Sequence, residues 1–239
     1  MKSVREIAHE FMGRGGKKLR PRLCRIVYDA LLDGSLAKSS HGDIGHVLDA
    51  VECFHKASLI HDDIQDGDEE RYGRPAVHAE YGIPLAIAVG DWLVAEGYRL
   101  LATSGFARTP DMLEAAAESH LQLSEGQGAE LAMRFSGESP RCAEEILSIY
   151  RRKTGEAFAL AARLGAIAAL DASDPRSVEV ERELVRFGLA FGVVFQMRDD
   201  LADNESSLSQ AHLDSACAEC MAAASAIPEL AEPLRVFVG

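Results

Sequence analysis

The sequence predicts an all-α bundle, and three observations carry that prediction. Eight prolines, at 21, 75, 84, 110, 140, 175, 228 and 233, leave long Ala/Leu/Glu-rich stretches between them, and such stretches favour helix. Apolar residues in those stretches recur at three- and four-residue spacing, the helical period. Alternating β-branched runs are nearly absent.

Taken in order, Val47 to Ile60 carries an apolar helix pattern. Leu85 to Leu101 is apolar on most of its circumference, as expected of a helix wrapped by others. Arg141 to Leu170 is periodic through Ile146, Ile149, Tyr150, Phe158, Ala161 and Ala162. Val178 to Asp200 places Val180, Leu184, Phe187, Phe191 and Phe195 on one broad stripe. Turns are expected at Asp33-Gly34-Ser35, Gly67-Asp68, Tyr72-Gly73-Arg74-Pro75, Ser136 to Pro140 and Asp171 to Pro175. No repeat or low-complexity linker divides the chain, so one domain over 1–239, of eight to ten helices, is expected. A bundle of that size has room for a deep central cavity.

Charge excludes some functions. With 25 Lys+Arg against 38 Asp+Glu, the net charge is −13, which argues against nucleic acid as a partner. The strongest apolar stretch, Ile83 to Phe106, is broken by Asp91, Glu96 and Arg99, so no membrane insertion is expected. Met1 to Glu10 has no apolar core of signal-peptide type, and the expected location is cytoplasmic. Five scattered cysteines do not suggest a disulfide framework. Cys217 and Cys220, with His212 nearby, lack the second ligand pair that a structural zinc needs.

Two aspartate clusters stand apart from this background. Asp62-Asp63-Ile64-Gln65-Asp66 follows the helix pattern ending at Ile60, and Asp199-Asp200-Leu201-Ala202-Asp203 ends the pattern from Val178. Residues i and i+4 share a helix face, so Asp62 pairs with Asp66 and Asp199 with Asp203. Carboxylates near a helix C-terminus oppose the macrodipole, and six of them in two such ends are explained by a bound cation. Oxygen-only sites of this kind suit Mg²⁺, which fills its shell with water and substrate phosphate. Such ions could ionise a carbon–oxygen bond by stabilising a departing diphosphate. A glycine-rich basic segment, Gly13 to Arg22, with Arg14, Lys17, Lys18, Arg20 and Arg22, supplies counter-charge for an anionic substrate. Arg71, Arg74, Arg152 and Lys153 add further cations. His61, His78 and His120 read as ordinary hydrogen-bonded histidines, and the phenylalanine stripe as core.

These segments form an ordered series: Gly15-Gly16-Lys17-Lys18-Leu19-Arg20-Pro21, His55 to Asp66, Arg71 to His78, Gly90-Asp91, Lys153-Thr154-Gly155, and Phe195 to Asp203. The series resembles that of the trans-type polyprenyl diphosphate synthases. The resemblance implies an isoprenoid-synthase-type bundle, a homodimer with a heteromer as the alternative, and a Mg²⁺ cofactor of three ions. It implies Asp62, Asp66, Asp199 and Asp203 as metal ligands, with Asp63 and Asp200 beside them. Arg71, Lys153, Thr154 and Gln196 would hold an allylic prenyl diphosphate; Lys17, Arg20 and His55 would hold isopentenyl diphosphate. In the implied reaction the allylic diphosphate ionises, the isopentenyl double bond attacks the cation, and a proton is lost to the released diphosphate. Ala57 and Ser58, one turn before Asp62, stand where the resemblance places residues that set channel depth.

Three departures bear on that reading. The family pattern at Arg71-Tyr72 is usually Arg-Arg, and Tyr72 carries no charge for isopentenyl diphosphate. Asn204 to Gly239 contains one Lys/Arg residue, Arg235, where relatives carry lysines that help close the site. The chain also begins only fifteen residues before Gly16. The alternatives are a terpene synthase or cyclase that ionises an allylic diphosphate without isopentenyl diphosphate, and an accessory subunit of a heteromeric synthase.

Overall fold

Local chemistry sets several of the helix ends. In the computed structural model, which describes residues 2–34, 42–137, 142–202 and 208–238, Ser3 caps α1 (Val4–Met12) through a reciprocal pair with Glu6. Helix α2 (Leu19–Gly34) takes Pro21 into its first turn, where a missing N–H costs nothing. Asp43 caps α3 (Ile44–Asp66) by accepting from Gly45 N at 2.8 Å, and α3 ends on Gly67 at φ 74°, the left-handed stop that glycine adopts without strain. A two-residue hairpin follows, β1 (Glu70–Arg71) against β2 (Arg74–Pro75). Then come α4 (Val77–Tyr81), α5 (Ile83–Ala102) opened by Pro84, and α6 (Thr109–Ser136) opened by Pro110.

Helix α7 (Ala143–Tyr150) runs into a π-helical turn, Arg151–Gly155, and then α8 (Glu156–Ala169); α9 (Ser177–Ala202), α10 (Gln210–Ser225) and α11 (Pro228–Val238) complete the order. The all-α class is borne out. The described residues hold eleven α-helices rather than eight to ten, because short segments such as α4 are too brief to show a period. The periodic stretch Arg141 to Leu170 is interrupted by the π turn, which the spacing of its apolar residues does not reveal. The hairpin takes the place of a plain turn at Tyr72 to Pro75.

Contacts group the chain into two compact units, one of residues up to 22 with 42–105, the other of residues from 23 in α2 with those from 106 onward. In the first unit α3 packs along α5 through two glycines. A Cβ on Gly97 would lie 2.3 Å from Phe54 Cε1, and one on Gly90 2.3 Å from His61 Nε2. The Gly90-Asp91 pair is thus a packing feature: Gly90 admits the His61 ring, and Asp91 Oδ1 lies 3.6 Å from His61 Nε2. Helix α5 is not buried all round, since Ile83 and Ile87 are about half exposed.

In the second unit the π turn and α8 approach α9 until backbone meets backbone, at Gly155 against Gly192 and Ala159 against Gly188. Phe158, Phe187 and Phe191 pack there as a buried aromatic cluster, with Phe158 and Phe191 edge to face at 4.8 Å. Phe187 and Phe191 of the stripe are core, as expected, while Phe195 is half-buried. The five cysteines are free thiols, and His212 belongs to the Ser209 cap of α10. Among the described residues no helix is long and apolar enough to cross a membrane.

Candidate active site

The first acidic cluster closes α3 and divides its carboxylates between two faces. Ser58, Asp62 and Asp66 are spaced by four and share one face; Asp62 is half-buried, and Ser58 and Asp66 are exposed. Asp63 is fully buried. Its Oδ1 accepts from Arg71 Nε at 2.7 Å and also from Nη2, which donates to Asp68 at 3.1 Å. Burial pushes the Asp63 carboxyl above its ordinary range, against the pull of Arg71. The hairpin sets this clasp: Tyr72 and Gly73 have φ of 58° and 68°, the positive pair of a two-residue loop, and this turn holds Arg71 against α3. Ala57, unlike Ser58, is 1% exposed and belongs to the core of this unit.

The Arg20 and His55 candidates also meet in this unit, while Lys17 stands exposed in the glycine segment. Arg20 Nη1 lies 3.5 Å from His55 Nε2. A guanidinium only donates, so Nε2 accepts and Nδ1 carries the proton. Burial, reinforced by the charges of Arg20, Lys56 and Arg71, pushes the imidazole down to about 2, so His55 is neutral. Burial lowers Arg20 to about 10, which leaves it cationic at neutral pH.

Beneath the glycine segment lies a residue that the sequence reading passed over. Lys56 is fully buried on α3. Its Nζ donates to Arg14 O at 2.7 Å and Gly15 O at 2.9 Å, and sits 4.3 Å from the centroid of the Tyr72 ring and 4.0 Å from Glu52 Oε1. The available signal was a lysine inside an apolar stripe, between Cys53 and Ile60, four residues after a glutamate.

The second unit repeats the division of carboxylates. Asp200 Oδ1 accepts from Gln196 Nε2 at 2.9 Å, its Oδ2 accepts from the Tyr150 hydroxyl, and Gln196 Oε1 accepts from Thr154 Oγ1 at 3.1 Å. Asp199 is exposed; Asp203 lies outside the described residues. Burial, with help from Asp200, raises the Tyr150 pKa, so the phenol stays protonated and donates. The π turn orients Lys153 and Thr154 onto different helices, since Lys153 Nζ donates to Glu130 of α6 at 2.7 Å while Thr154 reaches α9. Such turns often mark functional sites.

The donor set fits Mg²⁺. Among the described residues no group of three or more metal-ligating side chains forms a cage. Mg²⁺ binds through one or two carboxylates and completes its shell with water and phosphate, and Asp62 with Asp66 offers such a pair.

A profile described as Polyprenyl synthetase matches residues 1–214. The chain belongs to the polyprenyl synthetase family. Among its relatives in this family, a short chain isoprenyl diphosphate synthase from Methanothermobacter thermautotrophicus is 34% identical over 200 residues, covering 82% of this chain and 58% of that protein. A geranylfarnesyl diphosphate synthase from Natronomonas pharaonis is 35% identical over 201 residues, covering 79% and 57%. The chain thus spans somewhat over half the length of these polyprenyl synthetase relatives. A crystal structure of an FPP/GFPP synthase from Zymomonas mobilis matches with a TM-score of 0.80 at 27% identity, covering 100% of this chain and 89% of that one. A geranyltransferase from Helicobacter pylori matches at 0.84 and 23% identity, which speaks for the shared fold.

Proposed function

We propose that this polyprenyl synthetase condenses an allylic prenyl diphosphate with isopentenyl diphosphate to give a longer trans-polyprenyl diphosphate. The observation that carries this reading is the contact of Arg20 with a neutral, accepting His55, next to the glycine segment that bears Lys17. An enzyme that only ionises an allylic diphosphate has no use for this second cationic site. Exposed Ile83 and Ile87, one turn apart on α5, support a homodimer, since a second copy would cover them.

In this reading Asp62, Asp66, Asp199 and Asp203 hold the Mg²⁺, taken as three ions. The metal supplies Lewis-acid neutralisation of the departing diphosphate. Asp63 holds Arg71, and Asp200 holds Gln196 and through it Thr154, so the inward aspartates orient groups for the allylic diphosphate. Lys153 adds a cation. The allylic C–O bond breaks, the isopentenyl double bond forms the new C–C bond, and the C–H proton passes to the released diphosphate. His55 is not a base for that proton, because its accepting nitrogen already faces Arg20.

The test is to incubate the protein with Mg²⁺ and geranyl diphosphate, with and without isopentenyl diphosphate, and identify the products. A longer diphosphate that needs isopentenyl diphosphate supports the proposal. A hydrocarbon or alcohol formed without it identifies a cyclase, and activity only in the presence of a partner chain identifies an accessory subunit.

A further inference from the structure

We infer that Lys56 and Tyr72 form a clamp that positions the glycine segment Arg14–Lys17 to receive a diphosphate, and that Tyr72 is there to face Lys56. The inference rests on the isopentenyl site proposed above. A buried ammonium needs three partners, and Lys56 finds the carbonyls of Arg14 and Gly15 and the face of the Tyr72 ring. Glu52, 4.0 Å away, offsets its charge, and the Phe11 ring lies 5.3 Å from Nζ on another side.

Capturing these carbonyls orients the backbone. No peptide bond here is cis, and in a trans peptide the C=O and N–H point in opposite directions. With Arg14 O and Gly15 O turned onto Lys56, the N–H groups of Gly15 and Gly16 point away from the ammonium. Consecutive N–H groups turned the same way make an anion-binding concavity. Gly16 has φ 107°, a conformation that side chains disfavour. Tyr72 closes the other side: a Cβ on Gly15 would lie 3.1 Å from its ring and one on Gly16 3.1 Å from its hydroxyl. The two glycines, the ring and the ammonium are mutually fitted.

Lys56 is therefore a positioning residue, acting on the diphosphate through the peptide planes it holds. An arginine at 72 would bring a guanidinium against the Lys56 ammonium, so adding the charge absent at this position should harm the site.

The experiment combines hydrogen exchange of the free protein with steady-state kinetics on isopentenyl and geranyl diphosphates. Lys56→Met keeps the length and removes the ammonium; Tyr72→Leu keeps Lys56 and removes the aromatic face; Tyr72→Phe keeps the face. The first two should speed exchange across 13–18 by about tenfold or more and raise KM for isopentenyl diphosphate about tenfold, with kcat and the KM for geranyl diphosphate within about twofold. Tyr72→Phe should resemble the wild type in exchange. Tyr72→Arg should raise that KM, and Lys56→Met with Tyr72→Arg should be less impaired than Tyr72→Arg alone. Unchanged exchange at 13–18 in both Lys56→Met and Tyr72→Leu, or a lowered KM in Tyr72→Arg, overturns the clamp. If the wild type does not use isopentenyl diphosphate, the proposed function fails, and the exchange data still decide whether the clamp exists.

Discussion

Arg71 clasps the buried Asp63 with two of its nitrogens, Nε at 2.7 Å from Oδ1. The second aspartate of the first cluster thus faces inward as an anchor for a cation. Asp200 also turns inward in the second cluster, but its partners are neutral donors, the Gln196 amide and the Tyr150 hydroxyl. The adjacent aspartates, Asp62 and Asp199, lie on more open surface.

Removing the anchor should destabilise the first unit. Losing one partner of a fully buried pair costs about 3–5 kcal/mol. The Arg71 side chain remains 27% exposed, so Asp63→Ala should cost about 2–3 kcal/mol. Urea unfolding should show a lower midpoint at unchanged slope. A loss under about 0.5 kcal/mol would mean that Arg71 finds water or Asp68 equally good.

Asp62→Ala and Asp199→Ala should each lower turnover about a hundredfold or more, with a melting temperature close to that of the wild type. Circular dichroism melting and the product assay check both parts. A variant that keeps a tenth of the activity would refute the paired-cluster mechanism.

His55 should make stability depend on acidity. Its folded pKa, about 2, lies below the unfolded value of about 6.5. The contribution is therefore fully present above pH 6.5 and is lost as pH falls toward 2, while only the unfolded chain takes up the proton. The slope is at most about 1.4 kcal/mol per pH unit. Between pH 7 and 5 the wild type should lose about 1–2 kcal/mol more than His55→Gln. Parallel pH–stability curves for the two proteins would rule this out.

The close glycine contact of the π turn with α9, set against an open glycine on α6, predicts opposite outcomes for two Gly→Ala changes. A Cβ at Gly192 would lie 2.2 Å from Gly155 Cα, a backbone clash that outweighs the helix preference of about 1 kcal/mol. Gly192→Ala should lower the melting temperature by about 4 °C or more. At Gly128 of α6 a Cβ meets nothing within 4 Å, so Gly128→Ala should be neutral or stabilising by up to about 1 kcal/mol.

Product length should respond to residue 58 and not to residue 57. Ser58 is exposed and lies one turn, about 5–6 Å, behind Asp62 on the same face. Ser58→Phe should shorten the product by at least one five-carbon unit, read by chromatography after dephosphorylation. Ala57 is buried, so Ala57→Phe should overpack the unit and lose about 1–3 kcal/mol. An unchanged product distribution in Ser58→Phe would remove this helix face from the channel wall.

The all-α class, the shared helix face of Asp62 and Asp66, and the ordered motif series were legible in the sequence, because helical period and i,i+4 spacing are local properties that need no partner. Which aspartate turns inward was not legible. Asp62 and Asp63 are chemically identical neighbours, and only the hairpin that returns Arg71 to α3 distinguishes them. Lys56 and Tyr72 were separated in the same way: sixteen positions apart, the lysine drew no reading of its own and the tyrosine stood only as a missing arginine. Folding places the ammonium under the ring and turns two peptide planes onto it. The π turn was equally hidden, since an inserted residue leaves the apolar pattern on both sides intact. These features depend on buried groups finding partners far away in the chain, a requirement that a low-dielectric interior imposes and that no local spacing encodes.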